Sequence, residues 1–507
     1  MHKLMMHGRP FHGLLPQPYD ERDTKAEVLV HNFAQKLDHF DMSDNRVWLQ
    51  EYWLNQQWYK PGGPIFLMLG GEGPDSQGWV TNQELTFVKM GMKYNATLIT
   101  LEHRYYGPST PTSNQTVDNL KWLSSRQALA DTAFFIQSMN LMYGWDNPQW
   151  ITFGGSYSGA LSAWMRQQYP NIVIGAIASS GPVLAKLDFA EYIDVVQTSL
   201  SAYSQECADN IRAGMAQLPI LMQNADGRAN LTKTFKLCPA LDDATPNTID
   251  VINFYDTVMG NFQYAVQYSQ DNIGIFVDRF NIPVVCGLMN NNSRSPVDRL
   301  ADVNSLINSI FGSTCTANNY TDLIQCMQDP SFNSPCADSR SWTWQTCTEF
   351  GYFQSTDQAN NIFGSLVPLN FYVNMCTDIF GPQYNQTFIS NAVNNTNKFY
   401  GGRDNYKGTN VVLPNGSVDP WHALGILTDT PNSAAIAAFI NGTAHCADMY
   451  GASSRDPPGL TQARVTIDNN IAKWLAPTQQ TSSAGFAPTA SAYTSLILIL
   501  AIVWFNI

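Results

Sequence analysis

Charge is scarce in this 507-residue chain. Asp, Glu, Lys and Arg together make up 14% of it, and no Lys/Arg-rich run occurs. The 28 basic residues are outnumbered by 41 acidic ones, for a formal net charge of −13. A surface of that sign repels a phosphate backbone, so nucleic acid is not an expected partner. No Cys-x-x-Cys pair is present, which argues against a zinc ribbon or a thioredoxin-like motif; no metal and no organic cofactor is expected. The first 23 residues lack an apolar h-region, so no signal peptide is read there. Long hydrophobic runs are missing as well, apart from Leu496 to Phe505. As a helix that run spans only about 15 Å, against a hydrocarbon core of roughly 30 Å. With the small residues Ser482, Ser483, Ala484 and Gly485 ahead of it, the tail matches a GPI-type lipid-anchor signal, and with it membrane attachment.

What is present is a globular composition: 44% hydrophobic residues, with 13 Trp, 22 Tyr and 26 Phe. The length exceeds one compact core and implies two structural units. Eight of the nine cysteines lie between Cys207 and Cys376, and Cys446 is the outlier. Sequons begin at Asn95, Asn114, Asn230, Asn291, Asn319, Asn385, Asn394, Asn415 and Asn441. Clustered cysteines together with many sequons point to an oxidising, glycosylating compartment, and so to the secretory pathway, the cell surface or the lysosome. Eight cysteines allow 105 pairings, so the connectivity stays open.

Strand-like apolar runs alternate with helical patterns from about residue 60. Pro64 to Leu69, Ala96 to Leu101, Gln149 to Phe153 and Ile172 to Ala178 read as buried strands, and Ser125 to Ile136 as a helix. Alternation resumes at Thr409 to Leu413 and Ala434 to Ile440 and closes with a helix over 459–475. The fold class expected is α/β, a parallel-type sheet of the α/β-hydrolase kind with a disulfide-braced helical insertion over the active site. The domain division is 31–189 and 371–475 for the hydrolase part and 190–370 for the cap. Residues 1–30 form an N-terminal segment, and 476–507 a stalk and apolar tail.

Between one strand and the next helix stands Phe153-Gly154-Gly155-Ser156-Tyr157-Ser158-Gly159. A serine on such a turn is thrust above the sheet, and the following N–H, that of Tyr157, points at a developing oxyanion. The pattern departs from G-x-S-x-G, which asks for glycine where Ser158 stands. A serine hydroxyl needs a base, and in this fold the chain order is Ser, then acid, then His. Of eight histidines only His422 and His445 follow the elbow with an acid between. His422 sits three residues after Asp419, in the same turn, whereas His445 follows a strand. Ser156, Asp419 and His445 are therefore the candidate nucleophile, orienting acid and base. Asp-Pro is also an ordinary turn former. Gly70-Gly71-Glu72-Gly73 occupies the place of the second oxyanion donor, with Gly71 and Glu72 as candidates, Glu72 also for substrate contact.

These stretches, with Phe33 to Phe40, Glu102-His-Arg-Tyr-Tyr-Gly107, Gln345 to Phe350, Asn415 to Trp421 and Ala444 to Asp448, resemble one family. It is the serine carboxypeptidases that include lysosomal Pro-X carboxypeptidase, dipeptidyl peptidase II and thymus-specific serine protease. The likeness runs from about 31 to 475, and His-Cys-x-Asp is similar to the thymus-specific branch. The resemblance implies a serine exopeptidase acting on small peptides, often beside proline and in acidic compartments. It implies the same triad, an aromatic substrate-side residue at Trp421, and a homodimer. The rival readings are a lipase or esterase of the same fold, and a non-catalytic surface glycoprotein.

Overall fold

The computed structural model describes residues 28–241, 248–269, 278–358, 360–430 and 435–476, plus the two-residue strands Met5–Met6 and Arg9–Pro10. The expectations for the leader and for the Leu496–Phe505 anchor fall outside the described residues.

The chain opens with strands β1 (Val30–Lys36) and β2 (Val47–Asn55), then β3 (Ile65–Leu69), α1 (Thr86–Tyr94), β4 (Thr97–Leu101) and α2 (Ser125–Tyr143). Next come β5 (Trp150–Gly155), α3 (Tyr157–Gln168) and β6 (Val173–Ser179). A helical insertion follows, its longest members being α4 (Glu191–Tyr203), α5 (Gln205–Leu221), α6 (Ile249–Gln267) and α7 (Pro296–Ile310). The sheet is completed by β7 (Val411–Gly416) and β8 (Ala435–Ile440), and α8 (Pro458–Leu475) packs behind it.

The eight strands lie in the order β8-β7-β6-β5-β3-β4-β2-β1. The six from β8 to β4 are parallel. This is the α/β-hydrolase fold expected. Strands β3, β4 and β5 are buried along their whole length, as two-sided cover demands. The antiparallel hairpin β1–β2 on the edge is an addition to the expected sheet. In β2 Trp48, Gln50 and Tyr52 face inward while Val47 and Leu49 are exposed. Apolar residues thus stand on both faces, and the period-two signal that would have revealed the strand is erased.

Local chemistry sets the boundaries. The Ser124 hydroxyl caps α2 by accepting the Gln127 N–H, and Gly144 ends it at φ 62°. In the insertion, disulfides join Cys207–Cys286, Cys238–Cys315, Cys326–Cys336 and Cys347–Cys376, leaving Cys446 as a buried thiol. The first two close loops of 79 and 77 residues. Each is worth about 4 kcal/mol in the chain-entropy account. A short parallel pairing of Lys186–Asp188 with Gly351–Phe353 ties the two ends of the insertion together at its base.

Candidate active site

The candidate side chains gather at the carboxyl ends of the parallel strands, where open α/β sheets place their ligands. Ser156 follows the last residue of β5 and precedes α3, with φ 62° and ψ −130°. A non-glycine residue held there is strained, and the turn is over-determined by its neighbours. A Cβ on Gly154 would come within 2.1 Å of the Ser158 carbonyl oxygen, and one on Gly159 within 2.5 Å of the Ser179 oxygen. Only glycine lets these backbones touch. Ser158, the departure from the usual pattern, laces the turn: its Oγ accepts the Gly155 N–H at 3.0 Å and donates to the Gly155 carbonyl at 2.9 Å.

Three residues beyond β7, Asp419 begins a 3₁₀ turn, and its Oδ1 accepts the Trp421 N–H at 3.0 Å. The same oxygen lies 2.9 Å from His445 Nδ1. A carboxylate accepts there, so Nδ1 carries a proton, and in the neutral ring Nε2 carries the lone pair. Asp419 Oδ2 is buried and has no hydrogen-bond partner among the described residues. Burial pushes the His445 imidazole down, but the Asp419 carboxylate and Cys446 beside it together outweigh this and hold it well above the ordinary histidine range. Asp419 and His445 are fully buried, and Ser156 is 3% exposed. The nucleophile elbow and the histidine loop meet at the end of β6. Ser179 O accepts the Ser156 N–H at 2.9 Å and lies 3.7 Å from the Cys446 Sγ, and the Ser180 Oγ accepts the Cys446 N–H at 2.9 Å. His422, the other histidine considered, faces the Gly416 carbonyl through Nδ1 at 3.1 Å.

Gly71 packs on the elbow, its Cβ position 3.6 Å from the Ser158 Cβ. Glu72 is buried, and its charge acts on Tyr352. Trp421 is buried against Phe189, Tyr192 and Tyr352, with ring centroids 5.3–5.8 Å apart, and its centroid lies 6.4 Å from that of His445.

Sequence reasoning missed Gln267, the last residue of α6 in the insertion. Its main-chain oxygen accepts the His445 N–H at 3.0 Å. Its Oε1 accepts both the Tyr192 hydroxyl (2.6 Å) and the Trp421 indole N–H (3.1 Å). It stands 178 residues from His445 and belongs to no local motif, so no sequence signal could have found it. His103 was likewise given no role. Its Nδ1 donates to Arg104 O at 2.7 Å, so Nε2 accepts the Tyr157 hydroxyl at 3.0 Å. Burial pushes the His103 pKa down to about 4, which keeps the ring neutral for that task. Gln345 also donates to the Tyr157 hydroxyl, at 2.9 Å, and accepts from Tyr106 at 2.6 Å. The Glu102-to-Gly107 and Gln345-to-Phe350 stretches therefore converge on the ring of the residue whose N–H is the oxyanion candidate.

Residues 35–467, which include the sheet, the serine elbow and the Asp419 and His445 loops, match the family described as Serine carboxypeptidase S28. The chain belongs to that family. It is accordingly a serine peptidase, and its substrates are peptides. A Caenorhabditis elegans protein, a serine protease by name, is 43% identical over 482 residues, covering 93% of this chain and 94% of its own. The thymus-specific serine protease of Homo sapiens is 32% identical over 454 residues, covering 87% and 85%. The lysosomal Pro-X carboxypeptidase of Mus musculus is 27% identical over 480 residues, covering 92% and 93%. The thymus-specific protein is thus nearer than the Pro-X enzyme, as the His-Cys-x-Asp stretch suggested. No group of three or more His, Cys, Asp or Glu suited to a metal occurs among the described residues, and no helix there is long and apolar enough to cross a membrane.

Proposed function

We propose that this chain is a serine-type exopeptidase that cleaves small peptides beside proline through a Ser156–His445–Asp419 acyl-enzyme cycle. The observation that carries the reading is the buried Asp419–His445 pair at 2.9 Å, on the same sheet edge as the strained Ser156. His445 Nε2 takes the Ser156 proton as Oγ attacks the peptide carbonyl. The oxyanion is met by the Tyr157 N–H and the Gly71 segment. His445 then gives that proton to the departing amine, and water repeats the sequence to free the acid. The aromatic group around Trp421 offers flat apolar faces that suit a pyrrolidine ring, and the buried Glu72 carboxyl acts on Tyr352, one of those rings.

In this reading residues 31–189 and 371–475 are the hydrolase domain, 190–370 its cap, and 476–507 a stalk with a lipid-anchor signal. Four disulfides and the likeness to the lysosomal Pro-X carboxypeptidase support a route through the secretory pathway to the lysosome or cell surface. Exposed sequons at Asn230, Asn291, Asn385, Asn394 and Asn441 support glycosylation along that route, whereas Asn415 is buried in β7 and is not an acceptor once folded. A homodimer rests on the resemblance alone.

The test is a panel of peptides with X-Pro at either end, free or blocked, with alanine controls, read by mass spectrometry from pH 4 to 8. A fluorophosphonate probe is applied to wild type and Ser156→Ala in parallel. Release of terminal residues beside proline, with labelling lost in Ser156→Ala, is expected. Wild-type turnover by Ser156→Ala would sink the triad. Cleavage of acyl esters but of no peptide would return the lipase reading.

A further inference from the structure

The tie between the nucleophile and its base has a second part, which lies behind the sheet edge. Asp448 follows His445 by three residues and is 2% exposed. Its Oδ2 accepts the Ser179 hydroxyl at 2.6 Å. Ser179 is the residue whose main-chain oxygen accepts the Ser156 N–H. The main chain of the 445–450 loop is held from the other side. The Thr86 hydroxyl on α1 donates to Asp448 O at 2.5 Å, and Arg464 on α8 reaches the carbonyls of Ala447, Asp448 and Tyr450 at 3.1–3.4 Å. Those contacts fix the loop to helices; the Asp448 carboxylate fixes it to the strand that carries the elbow's anchor.

We propose that Asp448 is a positioning residue for the acylation step. By gripping Ser179 it sets the distance between the His445 loop and the Ser156 turn. This rests on the triad reading above. The grip is formed in apolar surroundings: Ser179 and Asp448 line a pocket shared with Met68, Phe87, Phe153, Ile177 and Met449. A hydrogen bond there meets little competition from water, and a charge there is felt strongly. The titratable and charged groups facing the carboxyl are His445, Cys446 and Tyr450 on its own loop and Arg464 on α8, itself paired with Asp456. Burial pushes Asp448 up to about 6, against the pull of the Ser179 hydroxyl and Arg464, so it is ionised above that pH. Ionised, it favours the imidazolium form of His445.

Two separable consequences follow, one geometric and one electrostatic. Loss of the grip, in Asp448→Ala or Ser179→Ala, is expected to lower kcat about 100-fold, the size of effect that a misplacement near 1 Å produces. The double variant is expected to be no worse than either single one, because one contact is removed in all three. Asp448→Asn keeps an acceptor for Ser179 but loses the charge. It is expected to retain most of kcat and to move the acid limb of kcat/KM to lower pH, since His445 loses a stabilising anion. The experiment measures kcat, KM, their pH profiles and the melting temperature of the full chain for all four variants, with Ser156→Ala alongside. A double variant whose losses multiply, or an Asp448→Ala enzyme with wild-type kcat, overturns the proposal. So does an Asp448→Asn acid limb that does not move. Active Ser156→Ala would instead condemn the triad, so the two failures are distinguishable.

Discussion

Two buried carboxylates, each paired with a basic side chain, divide the labour of this molecule. Asp131 on α2 has both oxygens engaged by Arg104, at 2.6 Å each, and Oδ1 also meets His39 Nε2 at 2.7 Å. Arg104 spends its other N–H groups on the carbonyls of Leu37 and Trp122. Asp419 engages one oxygen only, shared between His445 Nδ1 and the Trp421 N–H, while Oδ2 is buried without a hydrogen-bond partner among the described residues. A fully satisfied buried ion pair is a fastening, here of the edge hairpin to α2. A half-satisfied one is costly, and is kept where chemistry needs a basic nitrogen aimed outward. The chemical types are nearly the same; the two pairs differ in how many carboxylate oxygens are occupied.

The sharpest break in that comparison is Asp419→Asn. The amide no longer selects the Nδ1–H tautomer, and kcat is expected to fall about 10⁴-fold with little change in the melting transition, as steady-state kinetics and calorimetry will show. Asp131→Ala is expected to do the reverse. Arg104 is left buried and uncompensated, stability drops by about 3–5 kcal/mol in denaturant titration, and kcat per folded molecule is retained.

Gln267→Leu probes how the cap enters the site. The Tyr192 hydroxyl and the Trp421 indole lose a shared acceptor while the main-chain bond to His445 persists. KM for peptides is expected to rise about tenfold, with kcat changing less, consistent with loss of one or two net hydrogen bonds of about 1 kcal/mol each.

The smallest effect is on stability against pH. Burial raises Glu102 to about 8 and Glu349 to about 7, and His445 is held high by Asp419. The unfolded carboxyls are already ionised above pH 6.5 while the folded ones still hold protons, so raising the pH strips the folded state. The histidine pair loses its stabilisation in the same direction. The melting temperature should therefore fall between pH 6.5 and 8. A rise across that window would contradict the assignments.

Much of this was readable in the chain. Short apolar runs bounded by glycine marked the parallel strands. The elbow, the Asp419 turn and the His445 loop were recognisable because each is a local signal at a strand end, set in a required order. The hairpin β1–β2 was not, since Val47 and Leu49 put apolar residues on its solvent face. Clustered cysteines announced the disulfides of the insertion but not their connectivity, because cysteine spacing does not encode pairing.

By itself, then, the sequence determined the family, the strand–helix alternation and the three residues offered for catalysis, all properties of segments a few residues long. Tertiary structure alone decided that His103 would be neutral beneath Tyr157 and that Gln267 would reach from the insertion to His445. It also decided that Asp448 would grip Ser179 and that one buried carboxylate would be saturated and the other left half free. These depend on burial and on partners 26 to 269 residues apart, as for Asp419 with His445 and Ser179 with Asp448. Such proximity exists only after the sheet has closed the distance.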